Sequence, residues 1–266
     1  MKGTILEKIV ETKRQRVEAT KRAVQPGQLM ERAAAANADA PPHRLRQALA
    51  DSSRINIIAE YKKASPSKGT INEKLDPSQV AEAYRLGGAA AISVLTEEDN
   101  FKGSLDDLIA VRSAVDIPIL RKDFIFDPFQ VYEAAAAGAD AILLIVAVLS
   151  DSQLWDLEAL AEDELGMDAL IEVHTLEELE RINDHGAKLI GVNNRDLHSF
   201  QVSLDVSRGL IKHAPSGSLM VVESGITSPG EVSELRSLGY SGFLIGESLM
   251  RSGDPASELR RLNGQG

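Results

Sequence analysis

Cysteine is absent from this chain of 266 residues. Without it there is no disulfide framework, no thiolate nucleophile and no thiolate metal ligand, and the absence fits a reducing compartment. No run of apolar residues reaches the ~18 needed to span a membrane. The first residues also lack the uninterrupted apolar stretch of a signal peptide. We therefore expect a cytoplasmic protein with no membrane partner.

Positive charge is also in short supply. The chain has 29 Lys and Arg against 40 Asp and Glu, a net charge of −11. Nucleic acids and anionic membranes attract positively charged surfaces, so we expect neither as a partner. One basic cluster alternates with apolar residues at helical spacing, which favours a solvated helix face. Its members are Lys13, Arg14, Arg16, Lys21 and Arg22, interleaved with Ile5, Ile9 and Val17.

The common nucleotide and metal motifs are missing as well. There is no G-x-G-x-x-G opening a βαβ unit and no G-x-x-x-x-G-K-[ST]. The histidines show no spacing typical of metal ligands, and we expect most of them at the surface or at helix ends. We therefore predict no cofactor and no metal. The histidines are His43, His174, His185, His198 and His213.

Eight short apolar runs rich in Val, Ile and Leu are the main regularity of the chain, and 43% of its residues are hydrophobic. Their continuous hydrophobicity indicates parallel strands covered on both faces. Eight such strands alternating with helices predict an α/β fold, a (β/α)₈ TIM barrel. A doubly wound open sheet is the alternative, although it usually has fewer strands. The predicted strands span residues 55–60, 90–95, 117–122, 140–145, 168–173, 188–193, 219–224 and 242–247.

Glycines precede every second strand at nearly even intervals. Gly88, Gly138, Gly186 and Gly239 are separated by 50, 48 and 53 residues. A (βα)₂ unit repeated four times would produce this spacing, which favours a closed barrel. Helix caps would also place glycine there, and the two interpretations are compatible.

Residues 1–54 precede the first strand. They contain a helix around 4–23, another near 27–37, and a third in "PPHRLRQAL" with Pro at its start. No long linker separates them from the barrel. We therefore expect residues 1–266 to form one domain, with residues 1–54 as an N-terminal helical extension packed on the barrel.

Charged residues stand at the carboxyl ends of alternate strands, where barrel enzymes carry their active sites. Glu60 and Lys62 end the first strand, Lys122 the third, Glu172 the fifth and Glu223 the seventh. Alternate strands contribute to the same layer of a barrel, so these side chains should meet at one level of the mouth. They form either a catalytic site or a structural salt-bridge network. Asn193, Arg195 and Ser224 occupy neighbouring strand ends.

Glycines after the last two strands predict an anion site. "ESGI" (223–226) and "IGESLM" (245–250) place backbone N–H groups at turns that lead into helices, the usual phosphate site of barrels. Ser65 can add a hydroxyl and Lys62 a charge. We expect a small phosphorylated molecule as the partner.

Taken in order, these strand ends resemble the motifs of the indole-3-glycerol phosphate synthase family. The resemblance runs from the first strand to the eighth at compatible spacing and extends to the helical N-terminal segment. The motifs are "IIAEYKKASPSKG" (57–69), "SVLTEEDNFKGS" (93–104), "ILRKDFIFDPFQV" (119–131), "LIEVHTLEEL" (170–179), "IGVNNRDL" (190–197), "VVESGI" (221–226) and "FLIGESLM" (243–250).

The resemblance implies a carboxy-lyase of tryptophan biosynthesis. That family closes an indole ring on 1-(2-carboxyphenylamino)-1-deoxyribulose 5-phosphate, with loss of carbon dioxide and water and without a cofactor. By this resemblance Lys122 is the general acid that protonates the ketone oxygen. Glu172 accepts or donates a proton in the later dehydration. Lys62 pairs with the substrate carboxylate or phosphate and is an alternative acid.

The remaining site residues implied by the resemblance orient and bind the substrate. Glu247 departs from what the site would favour, since an acid beside a phosphate is less favourable than a small residue. Glu60, Asn193, Glu223 and Ser224 complete the catalytic set, Ser65, Gly225, Gly246 and Glu247 bind phosphate, Phe101 and Phe124 line an aromatic pocket, and Leu143 and Arg195 are further substrate contacts.

Three other functions compete with this one. Phosphoribosylanthranilate isomerase, another phosphosugar barrel, typically uses a Cys and Asp pair, and this chain has no Cys. A Schiff-base aldolase would use Lys122 as its nucleophile. A non-catalytic barrel that binds a phosphate ligand is compatible with the fold, because function belongs to the site. We expect a monomer or weak homo-oligomer in each case.

Overall fold

The computed structural model describes residues 5–37, 40–66, 68–72, 75–183, 185–197 and 199–265. Within them, eight parallel strands close into a barrel in which each strand pairs with its sequence neighbours and the eighth pairs with the first. The predicted (β/α)₈ barrel is confirmed, and the open-sheet alternative is wrong. The strands are β1 (Ile57–Tyr61), β2 (Ala91–Leu95), β3 (Ile119–Lys122), β4 (Ala141–Ile145), β5 (Asp168–Val173), β6 (Leu189–Asn193), β7 (Leu219–Glu223) and β8 (Gly242–Ile245).

Helices follow the strands, and side chains cap many of their first turns. Asp127, Ser150 and Ser228 each accept a hydrogen bond from a first-turn backbone N–H as part of a capping box. A π-helical turn, Leu160–Glu164, extends the seventh helix. The helices are α1 (Ile5–Ala23), α2 (Pro26–Asn37), α3 (Arg44–Leu49), α4 (Pro77–Leu86), α5 (Leu105–Ala114), α6 (Pro128–Ala136), α7 (Asp151–Ala159), α8 (Leu176–Asn183), α9 (Asp205–Leu210), α10 (Pro229–Ser237), α11 (Glu247–Arg251) and α12 (Pro255–Leu262).

The four evenly spaced glycines all adopt left-handed backbone conformations. Their φ angles are 85° at Gly88, 87° at Gly138, 79° at Gly186 and 114° at Gly239. Each lies between a helix and the next even-numbered strand, where glycine allows the chain to reverse without steric strain. The repeat interval and the cap interpretation therefore describe the same residues.

Two apolar layers make up the core. Ile58, Leu120, Leu143 and Leu170 belong to the cluster inside the barrel, while a larger shell joins the outer strand faces to the helices. Ile58 points into the barrel, so Glu60, two residues further along β1, points to the same side. This alternation brings the strand-end charges into the mouth.

The N-terminal extension runs from the mouth of the barrel to its opposite end. α1 contributes to the wall of the mouth, α2 packs against α6, and Leu45 and Leu49 of α3 join the interior cluster. The third helix does not start at proline as predicted. It begins at Arg44, because His43 takes a left-handed conformation with φ 57° that separates Pro42 from the helix. No helix among the described residues has the length and apolar character needed to cross a bilayer.

The prediction that the basic cluster of α1 forms a solvated helix face is wrong for Lys13, whereas Arg14, Arg16 and Arg22 are exposed to solvent as predicted. The Lys13 side chain is 4% exposed, with Nζ 2.7 Å from Asp123 Oδ2 and 2.9 Å from Glu98 Oε2. These acids follow β3 and β2, far away in sequence, so helical periodicity alone cannot reveal them. The other contacts are Arg14 over the Phe126 ring, Arg16 with Asp99 and Lys21 with Asp127.

Lys13→Met should lower the free energy of unfolding by about 3 kcal/mol, because it removes one cation from a buried carboxylate. Asp123 keeps Arg121 as a partner at 3.0 Å, which limits the loss. Urea unfolding of the purified variant measures the change. Lys8→Met, at an exposed position of the same helix, is the matched control and should stay close to wild type. Equal stability of both variants would contradict the docking role of Lys13.

Candidate active site

A cavity of about 700 Å³ opens at the carboxyl ends of the barrel strands. Every residue predicted for the site lines this one cavity, including those from the loops after β1, β2 and β8. Closure of the barrel brings these distant parts of the sequence together. The residues are Glu60, Lys62, Ser65, Phe101, Lys122, Phe124, Leu143, Glu172, Asn193, Arg195, Glu223, Ser224, Gly225, Gly246 and Glu247.

Lys122 lies between two carboxylates at the centre of the cavity. Its Nζ is 2.5 Å from Glu223 Oε2 and 3.3 Å from Glu172 Oε2. Burial by itself would lower the pKa of Lys122, but Glu223, Glu172 and Glu60 together raise the pKa well above its usual value. Lys122 is therefore a protonated ammonium ion at neutral pH and has a proton to donate.

The two carboxyls that share Lys122 titrate differently. Burial raises the pKa of both. For Glu172, the opposing charges of Lys122 and His174 and a hydrogen bond from Asn193 outweigh burial and hold the pKa well below its usual value. For Glu223, burial prevails over Lys122, and the neighbouring Glu172 charge adds to it, so the pKa rises to about 7. Glu172 is therefore ionised at neutral pH, and Glu223 binds a proton more readily than Glu172 does.

The charged pair of β1 forms a contact of its own. β1 ends at Tyr61, and the ammonium of Lys62 pairs with the Glu60 carboxylate. Glu60 is 2% exposed, whereas Lys62 reaches further toward solvent. Lys62 and Lys122 are therefore each ion-paired with carboxylates from the strand ends, and a third lysine of the cavity, Lys68, lies near Glu247.

Glycine turns form the side of the cavity after β7 and β8. Ser224 and Gly225 are both left-handed, with φ angles of 66° and 89°. At Gly246 an added Cβ would lie 2.4 Å from Glu60 Oε1, so a larger residue would displace that carboxylate. Successive amides in such turns suit an anion. The Glu247 carboxylate nearby contacts Arg251 at 3.2 Å and Lys68 at 3.7 Å.

The opposite wall is apolar. The rings of Phe101 and Phe124 are tilted by 42° with their centroids 6.4 Å apart, and Leu143 also lines the cavity. An aromatic ring fits the contact preferences of such a wall. Arg195, also at the cavity, donates a guanidinium hydrogen bond to the Phe200 carbonyl at 3.2 Å.

Sequence reasoning missed two contributions to the site. Ile5, Leu6 and Ile9 of α1 line the cavity. Their spacing in the sequence indicated one apolar face of a helix but not that this face would meet the cavity. His174 lies behind Glu172 with its side chain 8% exposed. Its position two residues after Glu172 was the available signal. Of the other histidines, His185 is exposed, His43 precedes α3, His213 ends a 3₁₀ turn and His198 lies outside the described residues.

The closed barrel and the acid–base groups at its mouth define a (β/α)₈-barrel enzyme. The family model described as indole-3-glycerol phosphate synthase matches residues 6–262. The chain belongs to the indole-3-glycerol phosphate synthase family. Its activity is therefore the one expected from the sequence, the decarboxylating and dehydrating ring closure that yields indole-3-glycerol phosphate in tryptophan biosynthesis.

Curated relatives with that name match over most of their length. The chain is 48% identical over 264 residues to the Carboxydothermus hydrogenoformans protein, covering 97% of this chain and 98% of the relative. It is also 48% identical over 246 residues to the Leifsonia xyli protein, covering 92% and 93%. The similarity to these relatives therefore extends over nearly the whole chain.

Solved structures with similar folds are distant in sequence. Thiamine phosphate pyrophosphorylase from Pyrococcus furiosus superposes with a TM-score of 0.60 at 19% identity, covering 83% of this chain and 96% of that one. A tryptophan synthase α-subunit from the same organism gives 0.59 at 15%, covering 79% and 98%. At this identity the likeness supports the barrel fold alone.

Proposed function

We propose that the residues lining the mouth divide the reaction among themselves as the resemblance implies. The substrate, 1-(2-carboxyphenylamino)-1-deoxyribulose 5-phosphate, is held at both ends. Its phosphate binds the turns at Gly225 and Gly246 with Ser65, and its aromatic ring enters the apolar wall of Phe101 and Phe124. Bringing the two ends of a flexible molecule together supplies much of the catalytic effect.

Lys122 is the acid of the ring-closing step. The ring carbon that bears the carboxylate attacks the ketone carbon, and the carbonyl π electrons move to oxygen, which takes a proton from Lys122. The location of the Lys122 ammonium inside the cavity, between Glu172 and Glu223, is the observation that carries this proposal. Lys122 leaves this step neutral.

Decarboxylation follows from the same intermediate. The ring carbon that made the attack now carries four single bonds, and the electron pair of the nitrogen has formed the π bond of an iminium ion. When carbon dioxide leaves, the electrons of the broken C–C bond restore the aromatic ring and neutralise the nitrogen. The product is an alcohol with the new five-membered ring.

Glu172 is the base of the dehydration. It takes a proton from the carbon next to nitrogen, while the hydroxyl leaves as water with a proton from Lys62. The proton on Glu172 can return to Lys122, 3.3 Å away, and Lys62 regains its proton from solvent. One proton is consumed overall, which balances the loss of a carboxylate as carbon dioxide.

The other predicted residues orient these groups. Glu60 holds Lys62, and Glu223 holds Lys122. Asn193 supports Glu172 through a hydrogen bond. We propose that Ser224 and Arg195 contact the substrate and that Leu143 forms the inner end of the apolar wall.

Fluorescence of the indole product tests the proposed function directly. Purified protein mixed with the carboxyphenylamino-deoxyribulose phosphate should generate indole fluorescence without an added cofactor. Borohydride should trap no lysine adduct, because an ion-paired Lys122 ammonium is not a nucleophile. Trapping at Lys122, or the absence of product, would contradict the proposal.

Glu247→Gln should lower KM for the phosphorylated substrate about threefold with kcat unchanged. The substitution removes a carboxylate charge beside the phosphate turns, a repulsion of less than about 1 kcal/mol at a partly exposed position. Arg251 and Lys68, its present partners, become available to the phosphate. Steady-state kinetics at low ionic strength measures KM. A rise in KM would show that the Glu247 carboxylate supports the binding turn.

We also propose that residues 1–266 form one domain that works in the cytoplasm as a monomer or weak homo-oligomer. The buried contact of Lys13 with Asp123 supports treating the extension and barrel as one unit. The absence of cysteine supports a reducing compartment. Sedimentation velocity measures the oligomeric state.

A further inference from the structure

His174 contacts one of the two carboxyls that share Lys122. Its Nε2 lies 3.2 Å from Glu172 Oε1, as an ion-pair contact and not an aligned hydrogen bond. Its Nδ1 lies 3.3 Å from Glu178 Oε2 on α8. Glu178 also accepts a hydrogen bond of 2.6 Å from the His174 backbone N–H. The ring is thus held between a carboxylate of the cavity and a carboxylate behind it.

Glu223 has a different environment. One of its oxygens contacts Lys122, while Oε1 is buried and has no hydrogen-bond partner within the described part of the chain. This oxygen lies against Gly191, where an added Cβ would be 2.1 Å away. A buried carboxyl oxygen without a donor disfavours the ionised form.

The protonation states agree with this geometry. Burial by itself would lower the pKa of His174, but Glu172 and Glu178 raise the pKa to about 10, so the ring is an imidazolium ion at neutral pH. The charged groups that contact it in the described structure are Glu172 from β5 and Glu178 from α8. Lys122 on β3 and Glu223 on β7 lie beyond Glu172.

We propose that His174, held by Glu178, is a positioning residue that assigns the negative charge to Glu172 and the proton to Glu223. The proposal rests on the proposed roles of Lys122 and Glu172. Once Lys122 has protonated the substrate, the two carboxyls lose their shared cation. Two adjacent carboxylates resist joint ionisation, so a further cation on one side decides which of them stays charged.

As a consequence, the two carboxyls have different protonation states during the dehydration. His174 keeps Glu172 ionised, as a proton acceptor must be. Without the imidazolium, Glu172 and Glu223 would compete for one proton, and part of the enzyme would hold that proton on Glu172. That fraction cannot accept a proton from the substrate, and it grows as the pH falls.

His174→Gln tests this by removing the charge while keeping a polar side chain. Losing this cation lets Glu172 and Glu223 share one proton about equally, which leaves roughly half of the enzyme without an ionised base, so kcat at pH 6 should fall at least about twofold. The defect should shrink toward pH 9, where both carboxyls ionise without help. KM should stay within about twofold of wild type. Indole fluorescence from pH 6 to 9 measures both constants.

Two further variants accompany it. His185→Gln is the matched control, because His185 stacks on Trp155 and pairs with Glu158 away from the cavity. Its pH profile should match wild type. Glu178→Gln should shift the profile in the same direction as His174→Gln but less, since His174 would lose one of its two carboxylates and its pKa would fall. If His174→Gln fails to fold, His174→Asn gives the same test, because it also removes the charge beside Glu172.

A loss of kcat in His174→Gln that is equal at every pH, or an unchanged profile, would overturn the proposal. Glu172→Gln separates this failure from a failure of the proposed function. If Glu172→Gln is inactive while His174→Gln keeps the wild-type profile, only the inference about His174 fails. If Glu172→Gln is fully active, the role of Glu172 fails and the inference fails with it.

Discussion

Lys122→Met should lower kcat by at least ~10²-fold, because no other described ammonium lies between Glu172 and Glu223 to protonate the ketone oxygen. Binding should persist, since the phosphate turns and the apolar wall are untouched. Steady-state kinetics measures kcat. The change in fluorescence of the indole product when it binds to the variant measures the dissociation constant of that product. If the variant kept a kcat near that of wild type, Lys122 would not be the acid that protonates the ketone oxygen.

The matched control for this prediction is Lys63→Met. Lys63 is also partly buried and ion-paired, with Nζ 2.7 Å from both carboxylate oxygens of Asp107, but it does not line the cavity. Loss of that pair should affect stability more than turnover. A comparable fall of kcat in both variants would mean that general destabilisation, and not the loss of an acid, explains the Lys122 result.

Glu172→Gln should block indole formation by at least ~10²-fold while ring closure and decarboxylation continue. The amide cannot accept the proton that must leave in the dehydration, whereas Lys122 still protonates the ketone. Carbon dioxide release in a single turnover should therefore outrun indole fluorescence. The two signals separate the early steps from the late one.

Glu180→Gln, an exposed carboxylate on the neighbouring α8, is the control and should leave both signals unchanged. Equal suppression of carbon dioxide and indole by Glu172→Gln would move this residue to the ring-closing step. Normal rates of both would exclude it as the base.

The barrel was predictable because its signals are local and repeated. Each strand is a short apolar run between polar segments, and the observed strand ends agree with the predicted ones to within two residues. The family motifs are local in the same way, so the mouth residues could be named from strand ends such as Glu60 and Lys122. Their catalytic roles stay predictions.

The docking of α1 was not predictable in this way. Periodicity placed Lys13 on a helix but did not show which side of the helix would meet the barrel. The acids that bury it, Glu98 and Asp123, follow two different strands. Their approach depends on the curvature of the closed sheet and on where the extension crosses it. The position at which the extension crosses the barrel cannot be predicted from a single sequence.

The sequence by itself determined the order of the strands, the level at which the charged residues sit and the family. Strand alternation and motif spacing act over a few residues, so they can be read without a structure. Tertiary structure alone decided which acid pairs with which base: Lys122 with Glu172 and Glu223, Lys62 with Glu60, and His174 between Glu172 and Glu178. Those pairings depend on distances across the closed barrel, and the different neighbours of Glu172 and Glu223 separate the pKa values of these two equally buried carboxyls.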